Sequence, residues 1–358
     1  MAAIHHFNAP SLKSAIEEVV RGFGSKPLEV QLVTDNLIEA NLTGHDSHGI
    51  GMLPRYAESL MEDQGLKANA KVSVRIDHGT MVGLDGHGGF GQVIGHQAMQ
   101  IGIDRTKTHG SCIMALGNVH HLCRIGAWAE MAVAQNLISI HFVNVMARPV
   151  VAPWDGGDGR FGTNPFCVGI PVQGRSPVIL DFATSVIAQG KTRVAHNKRV
   201  PLKPGQMIDD KGRPTTDPVY GVKPPFGAIK TFGEHKGFGL ALVCELLGGA
   251  LSAGTTLHGP TDYRRVFNGM LTILLDPNKL AQGDSFVQES LAFLDWVKQS
   301  PPIEDTEGVK IAGEPERYTK AERLKSGIPV DENTWQEILS TASSLGVDAS
   351  NVDRLARA

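Results

Sequence analysis

Residues 81–118, MVGLDGHGGFGQVIGHQAMQIGIDRTKTHGSCIMALGN, decide which kind of α/β protein this is. A short apolar run, Met81–Leu84, leads into Gly86-His87-Gly88-Gly89-Phe90-Gly91. The helical pattern Gln92–Thr106 follows, and then a second apolar run, Cys112–Leu116. Strand, G-x-G-x-x-G, helix and strand together form the fingerprint of a dinucleotide-binding Rossmann unit. That unit also needs an acid at the end of its second strand to hold the ribose hydroxyls. Here the strand runs out into Leu116-Gly117-Asn118, and Asp104 falls inside the helix. In a chain with 41 glycines among 358 residues, such a match carries little weight. The segment reads as a tight turn that needs small residues.

Outward from this segment the pattern is mixed. Leu12, Ile16, Val19 and Val20 share one helix face. Leu28, Leu32, Leu37 and Ala40 continue in a second helix entered through Pro27, and a third begins near Ser47–His48. Val72–Ile76 alternates as a strand does. Toward the C-terminus follow a helix, Ile125–Ala134, and strands Ile138–Val143, Phe166–Ile170, Val178–Leu180 and Met270–Leu275. Residues 192–232 read as a long irregular stretch, a length that suits a functional loop. Gly237–Leu251 reads as a helix apolar on all sides and therefore packed on several. Beyond the Gln299-Ser300-Pro301-Pro302 breaker, Pro315–Ser326 and Asp331–Ser344 are helical again. The expected fold class is α/β. A mixed core over residues 71–299 lies between helical segments, 1–70 and 300–358, that pack together as a second domain.

Composition narrows the function. The 34 basic and 37 acidic side chains give a net charge of −3, without the basic stripe a nucleic-acid binder uses to displace counterions. No apolar run approaches the roughly 20 residues that span a bilayer, and the start lacks the flank and core of a secretory signal. Cys112, Cys123, Cys167 and Cys244 are scattered, with no Cys-x-x-Cys, which reads as reduced, buried thiols. A soluble cytoplasmic protein is expected, bound neither to nucleic acid nor to membrane.

Several polar clusters stand out against this background. His45-Asp46-Ser47-His48-Gly49 sits at a helix junction. Asp46 or Ser47 can cap the following helix, whereas a histidine beside a hydroxyl and an acid can exchange protons near neutral pH. Both readings stand on local grounds, ahead of a metal site for which no further ligand set is evident. Asn118-Val119-His120-His121 ends a strand and opens a helix, and Arg124 is placed to hold a carboxylate or phosphate. Phe161-Gly162-Thr163-Asn164-Pro165 and Leu180–Ser185 put hydroxyls and Asp181 at strand ends. Glu234-His235-Lys236-Gly237 opens the apolar helix, where free N–H groups suit a phosphate. Together they suggest one polar cleft.

The ordered set Gly44–Gly49, Asn118–Gly126, Gly162–Pro165, Asp181–Ser185 and His235–Gly237 resembles the malate/L-lactate dehydrogenase family of the non-Rossmann type, over nearly the whole chain. The resemblance implies a homodimer, an NAD(P)-binding mixed sheet of non-Rossmann type, and hydride transfer between NAD(P)H and a 2-oxo/2-hydroxy carboxylic acid of malate, lactate or aryl-lactate type. NAD is the expected cofactor, with NADP possible, and no metal is required. By matching, His48 is the proton donor, while His121 corresponds to the proton acceptor of the ureidoglycolate-oxidising members. The two assignments compete, with Asp181 orienting an imidazole or the substrate. The nucleotide-side candidates are His48, Leu122, Cys123, Arg124, Asp181, Phe182, Ala183, Thr184, Ser185, His235, Lys236, Asn268, Gly313, Glu314 and Pro315.

The substrate-side candidates are Ser47, Met52, Arg124 and Thr163. Many relatives carry arginine four residues after the motif histidine. Met52 stands there in this chain, leaving apolar surface for an aryl or alkyl chain. Two other activities use the same scaffold: reduction of a cyclic imine such as piperideine- or pyrroline-carboxylate, and non-catalytic metabolite binding by a dimer.

Overall fold

A largely apolar run marks a strand covered on both faces, and residues 267–275, FNGMLTILL, with Asn268 and Thr272 as the polar members, form the middle of the main sheet. The computed structural model describes residues 3–61, 65–252, 254–258 and 266–358. In chain order its strands are β1 (Ile4–Phe7), β2 (Ser73–Asp77), β3 (Met81–Asp85), β4 (Ser111–His120), β5 (Ile138–Met146) and β6 (Phe166–Ile170). They continue with β7 (Val178–Phe182), β8 (Met207–Ile208), β9 (Pro214–Thr215), β10 (Ala228–Ile229), β11 (Phe267–Leu275) and β12 (Ile328–Asp331). The seven-stranded sheet has the order β2-β3-β4-β11-β5-β6-β7. Among the described residues β3–β4 is its one parallel pair. A Rossmann sheet is mostly parallel, so the mixed α/β architecture is of another kind.

The glycine turn shows why. Gly86 N–H donates to the Gly117 carbonyl, Gly88 N–H to that of Asn118, and Gly89 N–H to that of Gly86. The first two tie the turn to β4, the third closes the turn on itself, and none of the three has a hydrogen left for a phosphate. A Cβ on Gly91 would lie 2.0 Å from the His121 carbonyl oxygen, so glycine there permits the helix Gly91–His109 to start against the end of β4.

Among the described residues three larger cores and a small cluster of Ala152, Ile208 and Ala228 make up the interior. The first joins the helices Ala9–Gly22, Pro27–Leu42 and Leu53–Met61 to Glu332–Ser344 and Ala349–Ala356, through Leu12, Ile16, Leu37, Tyr56, Trp335 and Ile338. β1 and β12 pair antiparallel beside it. The second packs the helices Gly91–His109 and Gly126–Val133 on the large sheet, with Ile94, Met99, Met114, Trp128 and Leu274 inside. A smaller third core surrounds Val151, Met207 and Ile229, next to the sheet β10-β8-β9.

Four expectations need correction. The stretch 192–232 is not irregular throughout, since its start lies in a helix, Gln189–Lys198, and β8, β9 and β10 follow. That helix buries only Thr192 and Ala195, too little for an apolar period to show. The helix expected from Ser47 is preceded by two 3₁₀ turns, Asp46–His48 and Ile50–Met52. Neither Asp46 nor Ser47 caps it, because Asp46 is drawn instead to Arg323 and Asn41. The segment Gly237–Leu251 is α-helical to Cys244 and then π-helical over Glu245–Ala250. It is not packed all round, for Leu242, Val243, Leu246 and Leu251 are exposed. Its covered side lies close on the sheet, where a Cβ on Gly269 would meet the Gly248 carbonyl oxygen at 2.0 Å.

Candidate active site

β4 and the residue after it bring two histidines, His120 and His121, to the rim of the sheet. The register of β4 against β11 shifts between Asn268 and Met270, and Asn118 there takes a left-handed φ of 52°. A bulge of this kind re-aims the residues after it. His120 is fully buried, edge-on to Tyr56 and Phe267 with centroids 5.5 Å away in each case. His121 lines a cleft of about 1820 Å³ between the helical core and the sheet. Its Nδ1 lies 2.9 Å from the Tyr56 hydroxyl. The next turn is held by Asn268, whose Oδ1 accepts from Leu122 N–H (2.7 Å) and whose Nδ2 donates to the Asn144 carbonyl (2.8 Å). Both ends of that amide are thus engaged with backbone.

His48 stands beside His121 in the cleft. The two rings stack with centroids 5.5 Å apart and planes inclined by 19°. The Ser47 hydroxyl lies 3.0 Å from His48 Nδ1. Behind them, Asp46 is fixed by Asn41 (2.7 Å) and by the Arg323 fork (2.6 and 3.0 Å). His45 meets Glu316 at 3.4 Å. Burial, reinforced by His45 and Arg124, lowers the His48 pKa to about 4. Burial and the neighbouring His48, His120 and Arg55 hold His121 well below the ordinary imidazole value. Both rings are therefore neutral at pH 7.

The opposite wall carries Asp181, Phe182, Ala183, Ser185, Thr163 and Arg124. Burial raises the Asp181 pKa, opposed by the Gly126 N–H it accepts (2.7 Å) and by His45 and Arg124. Arg124 lines the cleft and is also engaged within the protein. Its guanidinium is buried and grips Glu130 with both terminal nitrogens, at 3.0 and 2.5 Å. Desolvation works against its charge, but Glu130 outweighs it and raises the pKa. The Thr184 hydroxyl is committed to the Thr163 and Asn164 carbonyls, and the Ser185 hydroxyl to that of Ile187.

Not every expected residue reaches this cleft. Pro315 lines it, whereas Glu314 is turned to Lys298 and to Ile311 N–H. His235 and Lys236 are exposed and do not line it. Residues the sequence did not single out do so: Arg148, Gln189, Lys191 and Arg193, with Asn333, Gln336 and Glu337 of the C-terminal helix. Arg148 stacks 3.7 Å over Phe226. Nothing local in the sequence marks them, because their relation to His48 exists only once the cores pack. Met52 and Arg55 both line the cleft, one turn apart. Among the described residues no three His, Cys, Asp or Glu side chains gather as metal ligands.

A malate/L-lactate dehydrogenase family model matches residues 7–339. The chain belongs to the malate/L-lactate dehydrogenase family. It is similar to hydroxycarboxylate dehydrogenase B of Escherichia coli K12, with 47% identity over 97% of this chain and 96% of the relative. Among solved structures of the family fold, it resembles sulfolactate dehydrogenase from Methanocaldococcus jannaschii. That match has a TM-score of 0.85 and 30% identity over 97% and 99% of the two chains. It also resembles delta1-piperideine-2-carboxylate reductase from Pseudomonas syringae pvar. tomato, with a TM-score of 0.83 and 26% identity over 94% and 100%.

Proposed function

We propose that the chain is a hydroxycarboxylate dehydrogenase that interconverts a 2-hydroxy acid and its 2-oxo acid with a nicotinamide cofactor, NAD by preference and NADP as the alternative. The observation that carries this reading is the stacked, neutral pair His48 and His121 on the wall of a cleft far larger than one small acid needs. The cleft suits a dinucleotide. The helix Gln189–Lys198 has no side-chain cap at its start, and Gly190, Lys191 and Arg193 face the cleft from it. Free N–H groups and cations at a helix start suit a pyrophosphate. Asp181, Phe182, Ala183, Ser185 and Pro315 form the remaining wall.

When bound, the nicotinamide supplies hydride exchange at C2 of the acid. The chain's own residues do the rest. His48 exchanges the proton of the C2 oxygen. His121, beside it, faces the same oxygen. Arg124 and Arg55 both line the cleft, and the charge for the substrate carboxylate comes from Arg55. It lies close enough to depress both His120 and His121. Asp181 keeps the Gly126 turn in place. Met52 offers apolar surface to the substituent at C3.

The exposed Leu242, Val243, Leu246 and Leu251 support a homodimer formed across this face. Sedimentation showing an active monomer at assay concentration would refute that. The activity is tested by a panel of pyruvate, oxaloacetate and phenylpyruvate with NADH and with NADPH, beside ring imines. Oxo-acid turnover with at least one cofactor is expected. Turnover of imines alone would favour the reductase reading supported by the P. syringae neighbour. Tight cofactor binding without turnover would favour a non-catalytic binding dimer.

A further inference from the structure

Heavy-atom positions leave amide orientations and imidazole tautomers open. Around His121 a chain of donors closes them. The His48 carbonyl can only accept, and Cys123 Sγ lies 3.1 Å from it. The single thiol hydrogen goes there rather than to the Tyr56 hydroxyl, 3.6 Å away. Toward Gln92, 3.4 Å off, the sulfur must then accept, so the amide presents Nε2. The second Nε2 hydrogen is donated to the Tyr56 oxygen at 3.0 Å. Tyr56, already accepting, gives its one hydrogen to the nearer and stronger acceptor, His121 Nδ1 at 2.9 Å, rather than to the sulfur at 3.6 Å.

The alternative amide orientation is worse. As placed, Gln92 Oε1 is buried without a partner; turned over, the amide would bury both Nε2 hydrogens unpaired, and orphaned N–H donors are the rarer defect. Cys123 takes part as a thiol, not a thiolate, since burial raises its pKa to about 11. The backbone supports the arrangement, with Cys123 itself at a left-handed φ of 63°, a conformation a non-glycine residue keeps only where its surroundings impose it.

We propose that Cys123, Gln92 and Tyr56 are positioning residues that lock neutral His121 with its proton on Nε2. The ring then offers the substrate a hydrogen-bond donor and no acceptor. In this state His121 steadies the C2 oxygen and cannot take its proton. Proton exchange falls to His48, whose Nδ1 faces a Ser47 hydroxyl free to rotate and serve either tautomer. In oxidation the O–H bond of the substrate breaks and its proton passes to His48; in reduction the same proton returns. The assignment rests on the proposed dehydrogenase reading for its use, but not for its geometry.

The test is nitrogen NMR of protein labelled with ¹⁵N-histidine at neutral pH, without substrate or cofactor, with the His121 signals assigned by His121→Gln. The expected spectrum shows a protonated Nε2 and a bare Nδ1 on His121, unchanged in Cys123→Ser, whose hydroxyl donates as the thiol does. In Tyr56→Phe the preference should collapse to a mixture, with kcat falling roughly tenfold to a hundredfold, the usual scale for loss of an orienting partner. A proton on Nδ1 in the unaltered protein would overturn the proposal, as would an unchanged tautomer in folded Tyr56→Phe. If Tyr56→Phe fails to fold, the spectrum of the unaltered protein decides alone. A locked His121 in a protein that turns over no oxo acid would sink the dehydrogenase reading and leave the lock standing.

Discussion

A ring neutral at pH 7 is ready to accept a proton, and His48 is such a ring, with burial holding its pKa near 4. If it exchanges the substrate proton, His48→Ala should cut turnover by about 10²–10⁴-fold, the usual reach of general acid–base catalysis. NADH affinity, read by fluorescence titration, should change far less. Equal losses in both would assign His48 to binding. Met52 sets the preference among substrates at the same scale. A guanidinium in that part of the cleft is costly to desolvate without an anion beside it. Met52→Arg should therefore raise kcat/KM for oxaloacetate relative to phenylpyruvate. An unchanged ratio would mean that residue 52 does not face the substrate.

Helix Glu332–Ser344 works on two faces. It buries Trp335, Ile338 and Ala342 in the first core and presents Asn333, Gln336 and Glu337 to the cleft. Trp335 is fully buried, packs 4.6 Å from Phe7 between ring centroids and donates to Asp353 at 2.8 Å. Trp335→Ala should cost about 3–5 kcal/mol, the range for deleting a buried aromatic, measured by urea unfolding. A loss below 1 kcal/mol would show that the core closes without it.

Element by element, the strands that read cleanly in the sequence are those whose period is undisturbed. β6 spans Phe166–Ile170 as expected. β4 runs past its expected end at Leu116 to His120, because the bulge at Gly117–Asn118 breaks the alternation without breaking the pairing. The His45–His48 and His120–His121 clusters were visible as chemistry-bearing residues. Their stacking was not, since it joins segments more than 70 residues apart. Tyr56 and Gln92 gave no signal, as each looks like an ordinary residue of a helix face. His235 and Lys236 read as an anion site at a helix start, and the fold leaves them exposed and outside the lining of the cleft, a placement that local sequence does not encode.

Acid should weaken the whole molecule through its histidines. His120 and His141 are fully buried, and burial lowers each pKa to about 3. Their unfolded values lie near 6.5, so between those limits the unfolded chain binds more protons and stability rises with pH. The contribution is complete above about 6.5 and is lost as pH falls toward 3. From pH 6.5 to 5 each ring should cost roughly 2 kcal/mol. His48 and His121 act in the same direction, and Asp77 and Asp209, lowered to about 2 by Arg105 and Arg213, add to the loss only below about 4. Urea midpoints across pH 5–8 should show the decline, and a flat profile would mean that these rings are protonated in the fold.

Hydride exchange is the central claim for the molecule, and isotope transfer tests it most directly. The protein is incubated with NADH or NADPH carrying deuterium at the transferable nicotinamide position, together with pyruvate, oxaloacetate or phenylpyruvate. The product is then read by mass spectrometry and NMR. The account predicts a 2-hydroxy acid with deuterium at C2 and none elsewhere, formed in step with cofactor oxidation and suppressed in His48→Ala. A product without label at C2, or cofactor that stays reduced with every oxo acid, would contradict it.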